Sequence, residues 1–87
     1  MFWVYAIYNQ LSDKIYIGQT KDLAKRQSEH NQKHGNHYTA KFEGEWKLIY
    51  KESVATRLEA IKRERQLKSQ KGREFIHSLL KDFDSPG

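Results

Sequence analysis

Residues 2–18 read Phe-Trp-Val-Tyr-Ala-Ile-Tyr-Asn-Gln-Leu-Ser-Asp-Lys-Ile-Tyr-Ile-Gly, and the fold turns on them. Residues 2–8 are aromatic or aliphatic on both alternations, as expected of a central strand covered on both faces. Residues 9–13 are polar apart from Leu11, and residues 14–18 resume a β-rich pattern, so the two runs should form an antiparallel hairpin. Parity then places two phenols. Tyr5 and Tyr16 lie an odd number of positions apart. A two- or four-residue loop puts them on one face, whereas a three-residue loop puts them on opposite faces.

Beyond the hairpin, Thr20 or Asp22 can cap a helix reaching about residue 31, with Arg26 and His30 at i and i+4 on the side that also carries Leu23 and Gln27. Residues 32–44 are polar, with His34, Gly35, Asn36 and His37 together, and read as a loop ending in Tyr38-Thr39. Residues 46–52 set Trp46, Leu48 and Tyr50 against Lys47, Ile49 and Lys51, the pattern of a third strand. Thr56 and Glu59 form a capping box that starts a helix running to about Lys68. On its wheel, Leu58, Ala60, Ile61 and Leu67 define the apolar arc, and Glu64 falls inside it. After Gly72, the spacing of Phe75, Ile76, Leu79, Leu80 and Phe83 predicts a third helix, stopped by Ser85-Pro86-Gly87. No repeat or linker divides the chain, so residues 1–87 are expected to form one domain.

A domain of 87 residues buries only about 60% of the surface its unfolded chain exposes, so the core must be thin. Sixteen basic against eleven acidic side chains leave a net charge of +5, which favours a polyanionic partner, nucleic acid before an anionic membrane. No apolar run approaches the roughly 18 residues of a spanning helix, and residues 1–5 lack the layout of a signal peptide. A soluble cytoplasmic protein is the expectation. With no cysteine, disulfides and thiolate metal sites are excluded, and any metal must use oxygen or imidazole ligands.

The residue types that carry chemistry are Tyr5, Tyr16, Arg26, His30 and Glu64. Together they can cut a phosphodiester: phenol and imidazole move protons, a guanidinium holds phosphate oxygens, and a carboxylate holds a metal. Each also has a purely structural reading. The tyrosines could be a cross-strand aromatic pair worth about 0.2 to 1 kcal/mol. Arg26 and His30 could be the solvated side of a short helix. Glu64 could form an i, i+4 pair with Lys68, worth a few tenths of a kcal/mol, although its place on the apolar arc makes that inadequate. His34 and His37 have zinc-like spacing but no evident third ligand. Lys62, Arg63, Arg65, Lys68, Lys71 and Arg73 form a basic run suited to a phosphate backbone.

Order and spacing bring these residues into one pattern. Trp3-Val4-Tyr5 stands where Gly-Ile-Tyr is expected, and an intact Tyr16-Ile17-Gly18 follows, with ten residues between the two tyrosines. Thr20, Asp22-Leu23, Arg26 and His30-Asn31 continue it, as do Tyr38-Thr39, Trp46 and Arg63-Glu64. The chain resembles the GIY-YIG nuclease superfamily over nearly its whole length, in particular the small stand-alone bacterial members. The resemblance implies an α+β fold, a three-stranded antiparallel sheet flanked by helices, and metal-dependent hydrolysis of a nucleic-acid phosphodiester.

Carried over by position, Tyr5 and Tyr16 orient or deprotonate the attacking water, Arg26 holds the scissile phosphate, His30 assists proton transfer and Glu64 binds one divalent metal. Magnesium is the expected ion, with manganese as a substitute. Gly18, Thr20, Asn31, Tyr38 and Lys68 are expected at the substrate, with Lys62, Arg65 and Lys71 on a basic face. The expected activity is that of an endonuclease on DNA, structure-selective or directed by a protein partner, in a setting such as DNA repair. A non-catalytic nucleic-acid-binding module and a protein-interaction domain are the alternatives. Two departures stand out: the first motif lacks its glycine and isoleucine, and the asparagine that some relatives carry after the glutamate is missing.

Overall fold

The computed structural model describes residues 1–32 and 38–83. In order these form strand β1 (Phe2–Asn9), strand β2 (Lys14–Thr20), helix α1 (Leu23–Gln32), a 3₁₀ turn (Tyr38–Lys41), strand β3 (Trp46–Val54), helix α2 (Arg57–Lys68) and helix α3 (Gln70–Phe83). The sheet is antiparallel throughout with β1 between β2 and β3, the expected α+β arrangement. The His34/His37 pair and the Ser85-Pro86-Gly87 stop lie outside the described residues. No helix among the described residues is long and apolar enough to cross a membrane.

β1 is central because both of its faces are apolar, and it is buried without interruption from Val4 to Asn9. On one face Val4 and Ala6 join Ile17 of β2, Ala60 and Leu67 of α2, and Ile76 of α3. On the other, Tyr5 and Ile7 join Trp46, Tyr16, Leu23 and Phe42. Residues 10–13 connect β1 to β2, a four-residue turn, with Tyr5 opposite Gly18 and Ile7 opposite Tyr16. Within the turn, Asn9 Oδ1 accepts from the Ser12 amide at 3.1 Å and its Nδ2 donates to the Glu43 carbonyl at 2.9 Å. Asp13, at φ 54, accepts from the Tyr8 hydroxyl at 2.8 Å.

Three local expectations are corrected. The strict alternation expected of β3 is broken by a bulge: Tyr50 pairs with Ala6 but Leu48 with Ile7, leaving Ile49 as the extra residue. Trp46 therefore packs beside Tyr5, while Ile49 and Tyr50 both turn to the α2/α3 face. Helix α3 starts at Gln70, before Gly72, because Ser69 ends α2 and begins α3: its amide donates to the Gln66 carbonyl, and its own carbonyl accepts from the Arg73 amide. Leu58 is 62% exposed, so the buried stripe of α2 runs through Ala60 and Leu67 without it.

The remaining caps follow the sequence. Thr56 accepts from the Glu59 amide at 3.2 Å, and the Glu59 carboxylate accepts from Ala55 at 3.1 Å. Asp22 caps α1 by accepting from the Lys25 amide at 3.1 Å.

Candidate active site

The hairpin register sets the first two residues. Tyr5 and Tyr16 share a face, diagonally placed, with ring centroids 6.3 Å apart. Gly18, opposite Tyr5, makes that possible. A Cβ there would sit 2.8 Å from the Tyr5 hydroxyl and 2.9 Å from Tyr16 Cε1, so the glycine makes room for the phenols instead of presenting a side chain to a ligand.

Helix α1 crosses the same face. Its start is fixed by Asp22 and by Thr20, whose hydroxyl accepts from the Asp22 amide at 3.2 Å, so the Thr20 oxygen serves the local turn. Leu23 anchors the helix in the cluster around Tyr5, and Arg26 and His30 follow at helical spacing. His30 is 2% exposed. Its Nε2 lies 2.8 Å from the Tyr5 hydroxyl and its Nδ1 2.7 Å from the hydroxyl of Thr39, also buried. The ring stands 5.0 Å from that of Tyr16.

The Arg26 guanidinium interacts electrostatically with both phenols and reaches Glu29 at 3.6 Å. Tyr5, His30 and Thr39 thus form one buried chain of hydrogen bonds, in which the two ring nitrogens of His30 serve the two hydroxyls.

Electrostatics follow from this packing. Burial pushes the Tyr5 phenol up to about 12; the Arg26 hydrogen bond pulls it back, while Tyr16 and Glu64 add to the rise. Burial works against the charge of Arg26, yet its bonds to Tyr5 and Tyr16 outweigh that penalty and raise it above the ordinary arginine value. The cluster thus holds a permanent cation beside the neutral Tyr5 phenol.

Behind it, Trp46 is fully buried and tied on several sides. Its carbonyl accepts from Gln27 at 2.7 Å and from Asn31 at 3.1 Å; its amide donates to Asn31 Oδ1 at 2.7 Å, and its indole to the Thr39 carbonyl at 3.1 Å. The Asn31 amide, expected at the substrate, is spent on joining α1 to β3. Thr39, the partner that orients His30, was expected only as part of the motif; a contact between α1 and a 3₁₀ turn leaves no periodic trace in sequence.

Glu64 sits on the buried stripe of α2 between Ala60 and Leu67, its side chain 22% exposed, with Lys68 Nζ at 3.7 Å. Its carboxylate reaches the cluster electrostatically through Tyr5. No group of three or more His, Cys, Asp or Glu side chains placed to hold a metal occurs among the described residues. A lone, partly exposed carboxylate fits a hard ion that keeps most of its water and takes phosphate oxygens, and does not fit a zinc or calcium cage.

Of the basic run, Arg63 is committed to Glu52, with Nε 3.0 and 3.1 Å from its two oxygens, and Tyr50 donates to the same carboxylate. Lys62, Arg65 and Lys71 are exposed. The Tyr38 side chain lies outside the described residues.

The family model described as the GIY-YIG catalytic domain matches residues 1–76. The UPF0213 protein SSP2268 of Staphylococcus saprophyticus is 40% identical over 55 residues, 63% of this chain and 66% of that protein, just under two thirds of its length. The solution NMR structure of the UPF0213 protein BH0048 from Bacillus halodurans superposes with a TM-score of 0.53 at 27% identity, covering 91% of this chain and 85% of that one. A match this extensive, on the sheet order and tyrosine pair described above, identifies the chain as a member of the GIY-YIG family.

Proposed function

We propose that the protein is a metal-dependent endonuclease that hydrolyses phosphodiester bonds in DNA, works in the cytoplasm, and is selected to its target by DNA structure or by a protein partner. One observation carries the reading: the two motif tyrosines lie side by side, ring centroids 6.3 Å apart, and Tyr5 is bonded to a buried histidine, with the Arg26 charge felt by both phenols. Membership in a family of catalytic domains, generally nucleases, and the +5 charge support it.

Arg26 grips two oxygens of the scissile phosphate and stabilises the charge that grows on them. Tyr16, less buried than Tyr5, faces the approaching strand and holds the attacking water. Tyr5 cannot carry a lasting negative charge at neutral pH with its pKa near 12. Its hydroxyl lies 2.8 Å from His30 Nε2, so a proton reaching the Tyr5 oxygen releases one to the imidazole, and Thr39 keeps that ring in place. Glu64 is the side chain that would hold the ion, with Lys68 neutralising it otherwise. When bound, a magnesium ion supplies positive charge to the phosphate oxygens and acidifies coordinated water.

The test is a panel of labelled duplex, branched, single-stranded and RNA substrates incubated with magnesium, manganese or chelator. Nicking of DNA that requires the metal is expected. Salt-sensitive binding without nicking would instead favour a binding module, and neither result a protein-interaction domain.

A further inference from the structure

β2 is an outer strand of the sheet, and a groove of about 470 Å³ is lined by this strand together with α3 and the end of α2. Ile15, Ile17 and Ile76 give it an apolar floor, and Tyr16 of the catalytic cluster forms part of its wall. Its charged lining is one-sided: Lys14, Lys68 and Arg73, with His77 beside them, against Asp13 alone. Asp13 is already engaged by the Tyr8 hydroxyl at 2.8 Å. Lys68 has Glu64 at 3.7 Å, whereas Lys14 and Arg73 are exposed and their side chains have no ion pair among the described residues. Three cations on one concave surface against a single lining carboxylate leave an excess of positive charge, and an anion relieves their mutual repulsion.

We infer that this groove is the site for the length of nucleic-acid strand running on from the scissile phosphate, with its next phosphates on Lys14 and Arg73 and its sugars against the isoleucine floor. This rests on the nuclease reading, because the link to the reacting phosphate runs through Glu64, whose carboxylate reaches both Tyr5 and the groove residue Lys68. Lys68 stands between the two, beside Glu64 and on the groove. Neither Lys14 nor His77 belongs to the tyrosine pattern; they share a groove with Arg73 because α3, packed on α2, faces β2 across it.

The test is an amide NMR titration of the full chain with a short oligothymidylate in the presence of chelator. Shifts are expected at Ile15, Ile17, Arg73 and His77. In the Lys14→Gln/Arg73→Gln double variant, affinity should fall about tenfold, and the slope of log affinity against log salt should fall by about 1.4, the value for two single-strand phosphate contacts. Shifts confined to other surfaces, or a double variant that binds with wild-type affinity and slope, would overturn the assignment. An extended peptide added to the free β2 edge would not depend on the two cations, and the slope separates it.

Cleavage assays distinguish the two levels. A cleaving wild type whose double variant keeps its KM and salt slope removes the groove and leaves the nuclease. A chain that cleaves nothing yet binds oligothymidylate through Lys14 and Arg73 keeps the groove and loses the nuclease.

Discussion

Arg26 closes the cluster, because its charge acts on both phenols while its side chain stays 26% exposed, open to an incoming phosphate. If it stabilises charge that develops in the transition state, Arg26→Ala lowers the single-turnover rate by about a hundredfold or more, near 3 kcal/mol, with a much smaller loss of affinity. Arg26→Lys restores little, since an ammonium lacks the planar fork. A loss of affinity in proportion to rate, with rescue by lysine, would make it a binding contact only. Tyr5 gives a second prediction. Its pKa rises from 10.0 in the free phenol to about 12 in the fold, so above pH 10 the unfolded chain loses a proton that the folded one keeps. The resulting stability is complete below about pH 10 and is lost as pH rises toward 12, a change of order 2–3 kcal/mol. Urea unfolding across that range should show the decline in wild type and a shallower one in Tyr5→Phe; equal declines would refute the raised pKa. Shared placement of the phenols followed from parity once the turn proved to have four residues, because side chains alternate with period two. The bond between His30 and Thr39 was not, since it depends on where a 3₁₀ turn docks.

Glycines decide two junctions between elements. Gly18→Ala puts a methyl against the Tyr5 hydroxyl, 2.8 Å away, and Tyr16 Cε1, 2.9 Å away. It should cost about 1–3 kcal/mol and lower cleavage as well, since the phenols must shift. Gly72→Ala should cost at least as much, about 3 kcal/mol, because its methyl would run into the Gln66 carbonyl and the Leu67 backbone, which cannot swing away. Urea midpoints of the two variants check this, and a Gly72→Ala protein as stable as wild type would contradict the tight turn between α2 and α3. The sequence misleads at this joint: glycine reads as a helix breaker, yet Gly72 lies in the first turn of α3, where its value is close approach to α2. The bulge in β3 was equally hidden, because an extra residue changes no composition and only the partner strand reveals it. β1 was plain, since apolar residues on both alternations leave a strand nowhere to lie but the middle of the sheet.

At the scale of the whole molecule, a +5 chain places an excess of cations in the groove beside β2 and exposed ones at Lys62, Arg65 and Lys71. Duplex binding should therefore weaken steeply with salt, and neutralising any of those three should reduce the slope by about one unit if it meets a phosphate. A flat salt dependence would count against nucleic acid as ligand. The net charge was visible in composition, but its concentration in a groove was not, because Lys14 and Arg73 come to line one groove only when α3 packs on α2. Everything proposed for the chemistry converges on Glu64, the one carboxylate on the buried stripe of α2 and the residue that couples that helix to the tyrosine face. Glu64→Gln preserves its shape and removes the charge a hard cation needs. The direct measurement is the magnesium-dependent single-turnover rate of this variant on a DNA substrate that wild type cleaves, beside binding of the same substrate in chelator. The expected result is a rate at the chelator background with binding near wild type; a magnesium-dependent rate equal to wild type would contradict the assignment of Glu64 and with it the proposed active site.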